Sequence, residues 1–178
     1  MATRSLIGIR QDDGKIKSVY CHSDGYLTHN GAMLIDHYKD RDKVEKLIKL
    51  GSLSMLGEKV DPDPNKEHSF EYDKRQEDVV VAYARDRGEE LREAVAQTEE
   101  ELFDKDSWID YIYIFEKNGE WVYSDFGLTY NKELRSVKKD LDKEYERLGI
   151  KRPKDFYGFW VDYALEEEKK RQREANDK

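Results

Sequence analysis

One cysteine, Cys21, stands among 178 residues, so the chain cannot close an internal disulfide and a cysteine-rich zinc site is excluded. No stretch approaches the roughly 18 apolar residues of a membrane span, and Met1 to Ile9 lacks the apolar core of a signal peptide. Both absences predict a soluble, cytoplasmic protein with no membrane partner. The usual catalytic signatures are missing too: no Walker loop, no Gly-x-Ser-x-Gly elbow, no His-Glu-x-x-His helix. Proline is scarce, and two of the three fall in Asp61-Pro62-Asp63-Pro64, which marks Gly57 to Gln76 as a surface loop.

Charge is what the chain has in excess. Charged residues make up 40% and hydrophobic residues 37%, against about 25% charged in a typical soluble protein, so a compact core must sit under a heavily charged surface. Aromatic residues, at 12%, supply the large buried areas that separate this composition from a disordered one. The net charge of -8 is uneven: residues 61–127 hold 20 acidic against 8 basic side chains. With a pI near 5.2, general binding to a nucleic-acid backbone is not expected, because that needs clustered Lys and Arg. The acidic middle is either a solvated surface or a patch that meets a basic protein.

Hydrophobic periodicity predicts an α+β domain in the order ββααβαββαα, with a mainly antiparallel sheet of about five strands. Ser5–Gln11 and Ile16–His22 flank Asp13-Gly14, which suits a two-residue type I′ turn. That turn pairs Ile7 with Tyr20 and Leu6 with Cys21. Thr28–Tyr38 reads as a helix that Gly31 lets approach the sheet, and Asp42–Leu50 as a second, with Asp42 and Glu45 at capping-box spacing. A strand is expected over Asp78–Arg87 and an acidic helix over Glu89–Asp104, with Leu91, Val95, Thr98 and Leu102 inward. Trp108–Phe115 and Glu120–Phe126 form a hairpin around Asn118-Gly119. In it Tyr111, Tyr113, Phe115, Val122 and Phe126 share one face, and Ile112, Ile114, Trp121 and Tyr123 the other. Residues 131–149 read as a helix stopped by Gly149, and Pro153 starts another. Residues 1–127 are thus a core domain and 128–178 a C-terminal helical extension, packed on the core or on a partner.

Three segments together resemble a group of short, mostly uncharacterised bacteriophage and prophage proteins. They are Thr3-Arg4-Ser5-Leu6-Ile7-Gly8-Ile9, then Tyr20-Cys21-His22-Ser23-Asp24-Gly25-Tyr26 with Asn30-Gly31, then Arg85-Asp86-Arg87-Gly88-Glu89. The resemblance covers roughly residues 3–127, and the spacing into Lys43-Val44 and Leu47-Ile48-Lys49-Leu50-Gly51 strengthens it. It implies genomic company more than chemistry: accessory phage proteins often bind and disable a host factor, including defence systems such as CRISPR nucleases.

Two stretches carry candidate chemistry. His22, Asp24 and Tyr26 sit at a strand-to-helix turn, with Asn30 in the helix that follows, and Arg85 and Arg87, two apart on the expected strand, would share a face. Converged, they make an anion-friendly pocket for a small phosphate compound or nucleotide. His22 oriented by Asp24 is the candidate general base for a phosphoester hydrolase; ordinary ion pairs and a plain turn account for the same residues. Cys21 and His22 project to opposite faces of a strand and do not form a thiol-base pair. His22, Asp24, His29 and His37 fit no zinc spacing, so neither a metal nor a cofactor is expected. Phe156, Phe159, Trp160 and Tyr163 make a helical stripe that the domain, a second copy or a host protein must cover. The function ranked first is a non-enzymatic phage accessory protein that inhibits a host factor, ahead of ligand sequestration and hydrolysis.

Overall fold

A computed structural model describes residues 2–104, 108–149 and 161–177. The α+β class is as expected, but the sheet has eight strands and is mixed. The first three are β1 (Ser5–Arg10), β2 (Ile16–Cys21) and β3 (Leu53–Met55), followed by β4 (Val81–Ala82) and β5 (Ala96–Gln97). The last three are β6 (Tyr111–Phe115), β7 (Trp121–Ser124) and β8 (Arg135–Ser136). Their order is β4-β3-β2-β1-β6-β7-β8, with β5 also pairing β2. The two hairpins lie side by side because β1 and β6 pair in parallel at the centre, Ile7 opposite Tyr113. β3 joins β2 in parallel through Cys21 and Leu53, and β4 joins β3 antiparallel.

Both hairpin turns differ from the type I′ expectation in one way. Gln11 N–H donates to the Lys15 carbonyl at 2.7 Å, and Glu116 N–H to the Glu120 carbonyl at 2.9 Å, so each loop has three residues. Gly14 (φ +87°) and Gly119 (φ +84°) take the left-handed third position, the geometry of a type I turn with a bulge. Asp13 and Asn118 accept from the backbone N–H two residues on, which locks the turn. The register therefore shifts by one residue. Leu6 pairs with Tyr20 and Ile7 with Val19, while Tyr113 pairs with Tyr123 and Phe115 with Trp121. Trp121 and Tyr123 thus join Tyr113 and Phe115, and Val122 and Phe126 join Ile112 and Ile114.

The first face of the sheet is closed by helices. A π-helical turn, Leu27–Gly31, leads into α1 (Ala32–His37), and α2 (Arg41–Lys49) follows. Asp40, not Asp42, caps α2, by accepting from Asp42 N–H. Gly31 does approach the sheet closely: a Cβ there would lie 3.4 Å from the Tyr113 ring. α6 (Val137–Leu148) starts at its Ser136 cap, later than the expected 131, and stops at Gly149 (φ +69°). Ile7, Ile9, Val19, Cys21, Tyr113 and Phe115 pack under Leu34, Val44, Leu47 and Val137 in one continuous core. β8 and α6 lie beyond residue 127, yet β8 completes the sheet and α6 covers it.

Two expected elements are largely replaced. Of the strand over Asp78–Arg87 only Val81–Ala82 remains, and α3 (Tyr83–Arg87) takes its end. Of the helix over Glu89–Asp104 only α4 (Glu99–Phe103) forms. Thr98 and Glu101 make a capping box at its start, and a capped start cannot also be a helix interior. Leu91 and Val95 consequently stand in solvent. α5 (Phe126–Thr129) follows β7, and α7 (Val161–Asn176) is the last element. The helix start expected at Pro153 lies outside the described residues.

Candidate functional site

The bend after β2 is tied to itself. Asn30 is fully buried, and its amide donates to the Ser23 carbonyl (3.3 Å), Ser5 Oγ (3.4 Å) and Cys21 Sγ (3.6 Å). Its Oδ1 faces His29 Nδ1 at 2.9 Å, so that nitrogen carries the proton. Asp24 sits in the left-handed region (φ +56°), with Oδ2 3.9 Å from His29 Nε2. The Tyr26 ring meets the His29 ring edge-on. Burial pushes the Cys21 thiol up to about 11, which makes it a packing group and not a nucleophile. His22 projects to the other face, where its Nδ1 lies 2.7 Å from the Tyr20 hydroxyl. The His22–Asp24 pair that a general base would need does not form; the carboxylate turns toward His29.

Arg85 and Arg87 do not share a face, because in α3 successive residues turn by about 100°. Arg85 donates to the carbonyls of Val60 (2.6 Å) and Val80 (2.7 Å) and to both oxygens of Asp86. Asp86 also accepts from Ala82 N–H, and His68 Nε2 lies 3.4 Å away. Burial opposes the charge on Asp86, but the Arg85 and Ala82 bonds outweigh it and hold the carboxyl below its usual range. Arg87 lies over the Phe70 ring at 4.8 Å. This is a clamp that fastens the 57–76 loop to the sheet, and its internal bonds occupy the guanidinium that an anion would need.

The arginine clamp and the His22 bend are held by different partners: the Val60 and Val80 carbonyls and Asp86 take Arg85, whereas the Tyr20 hydroxyl faces His22. Tyr20 and Tyr83, the first residue of α3, line one concavity. Among the described residues no group of three or more His, Cys, Asp or Glu could hold a metal ion. Phe156, Phe159 and Trp160 lie outside the described residues, and Tyr163 enters as part of the α7 backbone.

The surface that periodicity missed is the second face. Among the described residues, Leu6, Ile16, Ile112 and Ile114 cluster there with Leu102 and Phe103 of α4, with Tyr20, Ile109, Val122, Phe126 and Leu134 at the margin. A groove of about 490 Å³ runs between Leu6, Phe103, Ile112, Phe126 and Tyr130. Tyr130 in its wall is 82% exposed, and Trp108 and Leu128, next in the chain to the lining residues Ile109 and Gly127, are 64% and 55% exposed. Tyr130 holds a left-handed backbone (φ +59°), strained for a bulky residue. Glu89, Glu90, Glu93, Glu99, Glu100, Glu101 and Asp104 are all exposed along the segments that flank this face. The 20-to-8 charge imbalance was the available signal; the single long helix assigned to Glu89–Asp104 hid which side of the molecule it marks.

Among the described residues no helix is long and apolar enough to cross a membrane. Comparisons with protein-family models, with curated proteins and with solved structures find no match to this chain.

Proposed function

We propose that this chain is a non-enzymatic bacteriophage or prophage accessory protein that binds a basic surface of a host protein and blocks it. The resemblance to phage proteins points to a defence factor, such as a CRISPR nuclease, as the class of target. The observation that supports this reading is the second face, where Trp108, Leu128 and Tyr130 stand in solvent beside a strip of exposed carboxylates. Carboxylates draw a basic partner in from a distance, and aromatic side chains then supply the buried area that holds it. Sequestration of a small phosphate compound through Arg85 and Arg87 draws less support, since the internal clamp engages Arg85. Hydrolysis through His22 draws less still, with Asp24 turned toward His29.

The test compares the wild type with a Glu100→Lys, Asp104→Lys variant, which spares the Glu101 cap and the Arg10–Glu99 ion pair, in cells with an active CRISPR nuclease and in capture from bacterial lysate. The wild type is expected to raise phage plating and to retain a stoichiometric host protein. The variant is expected to lose both while keeping its melting temperature. Equal protection and equal capture by the variant overturn the proposal.

A further inference from the structure

His68 lies in the 57–76 loop with its side chain 3% exposed, and its contacts fix which ring nitrogen carries the proton. The backbone N–H of Gln76 donates to Nδ1 at 3.0 Å, so that nitrogen is an unprotonated acceptor. In the neutral ring the proton is therefore on Nε2, which is buried, makes no hydrogen bond among the described residues and lies 3.4 Å from Asp86 Oδ2. The bond to Nδ1 secures a junction. The Gln76 side chain accepts from Asp63 N–H (2.8 Å) and donates to the carbonyls of Asp63 (2.9 Å) and Lys66 (3.1 Å), so Gln76 gathers the outer turn of the loop onto His68. Phe70 is fastened separately, by its N–H to the Asp86 carbonyl at 3.1 Å.

Histidine is the side chain that ordinarily changes charge between about pH 5 and pH 8. A protonated imidazole has two N–H groups and no acceptor, so Gln76 N–H would face another N–H across 3.0 Å. The new cation gains little from Asp86, whose oxygens already take Arg85 Nε, Arg85 Nη2 and Ala82 N–H. Arg85 brings its own positive charge to that carboxylate, and Arg75 and Arg87 lie over the ring of Phe70, two residues along from His68. Glu67 and Lys74 pair with each other at the surface. We propose that His68 is an acid-sensitive latch: neutral, it holds Gln76 and the turn gathered on it; protonated, it releases both while Phe70 stays on Asp86. Tyr72, Arg75 and Gln76 line a cavity of about 480 Å³ together with His29, Met33 and Met55, so releasing Gln76 loosens one wall of that cavity.

The experiment follows the full chain by NMR from about pH 8 to about pH 5, reading the His68 Nδ1 chemical shift and the exchange protection of single backbone amides relative to the unfolded chain. Protection of the Gln76 and Asp63 amides is expected to fall together with the change at Nδ1, by about tenfold per pH unit once the ring is charged, while the Phe70 amide keeps its protection. His68→Asn offers an acceptor oxygen that does not titrate, and is expected to keep Gln76 and Asp63 protected across the whole range. Should that variant fail to fold, the parallel between Nδ1 and the Gln76 amide in the wild type decides alone. The latch is overturned by an Nδ1 that stays unprotonated throughout, or by Gln76 protection that is unchanged when Nδ1 takes up its proton. Protection that falls equally in His68→Asn, or in step with Phe70, overturns it too.

Discussion

Under α1, α2 and α6 the sheet is sealed, and even its polar aromatic groups are accommodated: Tyr38 donates to the Gly57 carbonyl, Tyr113 to Gly25 and Trp121 to Tyr38. On the other side, among the described residues, the five-residue α4 packs over the centre, and of the exposed large hydrophobics all but Tyr72 (Leu91, Val95, Trp108, Leu128 and Tyr130) belong to segments that flank that face. The same β-strands feed both faces, so strand chemistry does not make the difference. What differs is the material laid over them: amphipathic helices on one side, an extended acidic chain on the other. A sequence this poor in hydrophobic residues builds its larger core on one face and a smaller one on the other, and most of the large apolar groups left in solvent lie along the segments that flank the smaller one.

The sharpest way to break this comparison is to truncate one residue on each face. Leu47→Ala empties a fully buried site in α2, and is expected to cost about 3 to 4 kcal/mol as lost transfer energy plus a cavity. Trp108→Ala removes a much larger side chain that is 64% exposed, and is expected to change stability by about 0.5 kcal/mol or less. Denaturant unfolding of the two variants measures both values. Comparable losses would mean that the second face is part of the closed core.

The next effect concerns the arginine clamp. Asp86→Asn keeps the shape but takes the charge from Arg85, for an expected loss of about 2 kcal/mol at neutral pH. Because the Asp86 carboxyl is held below its ordinary value of 3.8, its contribution is complete well above that pH and disappears as pH falls through the folded value. The gap between wild type and variant is therefore expected to be widest near pH 7 and to narrow below 3.8. Unfolding curves measured from pH 7 to pH 3 check the sign; a gap that widens on acidification refutes the assignment.

The hairpins show how far sequence reasoning reached. Asp-Gly and Asn-Gly located both turns, and alternation located all four strands, because those signals are local. Loop length was not legible: the same dipeptides serve a two-residue turn and a three-residue turn with a bulge, and one extra residue exchanges the partners on each face. β3 and β8 were missed because two or three residues carry no periodicity. Of the expected bend, Asp24, Tyr26 and Asn30 gather at His29 while His22 turns to Tyr20; that parting was not legible, because it rests on the left-handed backbone at Asp24. What Arg85 would bond was illegible as well, since a strand that becomes a helix after two residues redirects every side chain beyond it. At Gly119, where φ is +84° and nothing lies within 4 Å of an added Cβ, Gly119→Ala is expected to cost about 1 kcal/mol through backbone strain alone. A thermal melt checks this, and a neutral result would favour a turn without the left-handed position.

The smallest effect has the opposite sign, and it bears most directly on what the open face is for. Tyr130 is strained at φ +59° while its ring is 82% exposed and meets the Phe126 ring edge-on. Glycine relieves that strain, so Tyr130→Gly is expected to stabilise the fold by about 0.5 kcal/mol, the relief of about 1 kcal/mol less the lost ring contact. A tyrosine retained where glycine is more stable has its use outside the folding of this chain. The same variant is therefore expected to bind its host protein more weakly while melting at a higher temperature. Were Tyr130→Gly to lower the melting temperature and leave binding unchanged, the ring would be a part of the core, and the asymmetry between the two faces would lose its functional meaning.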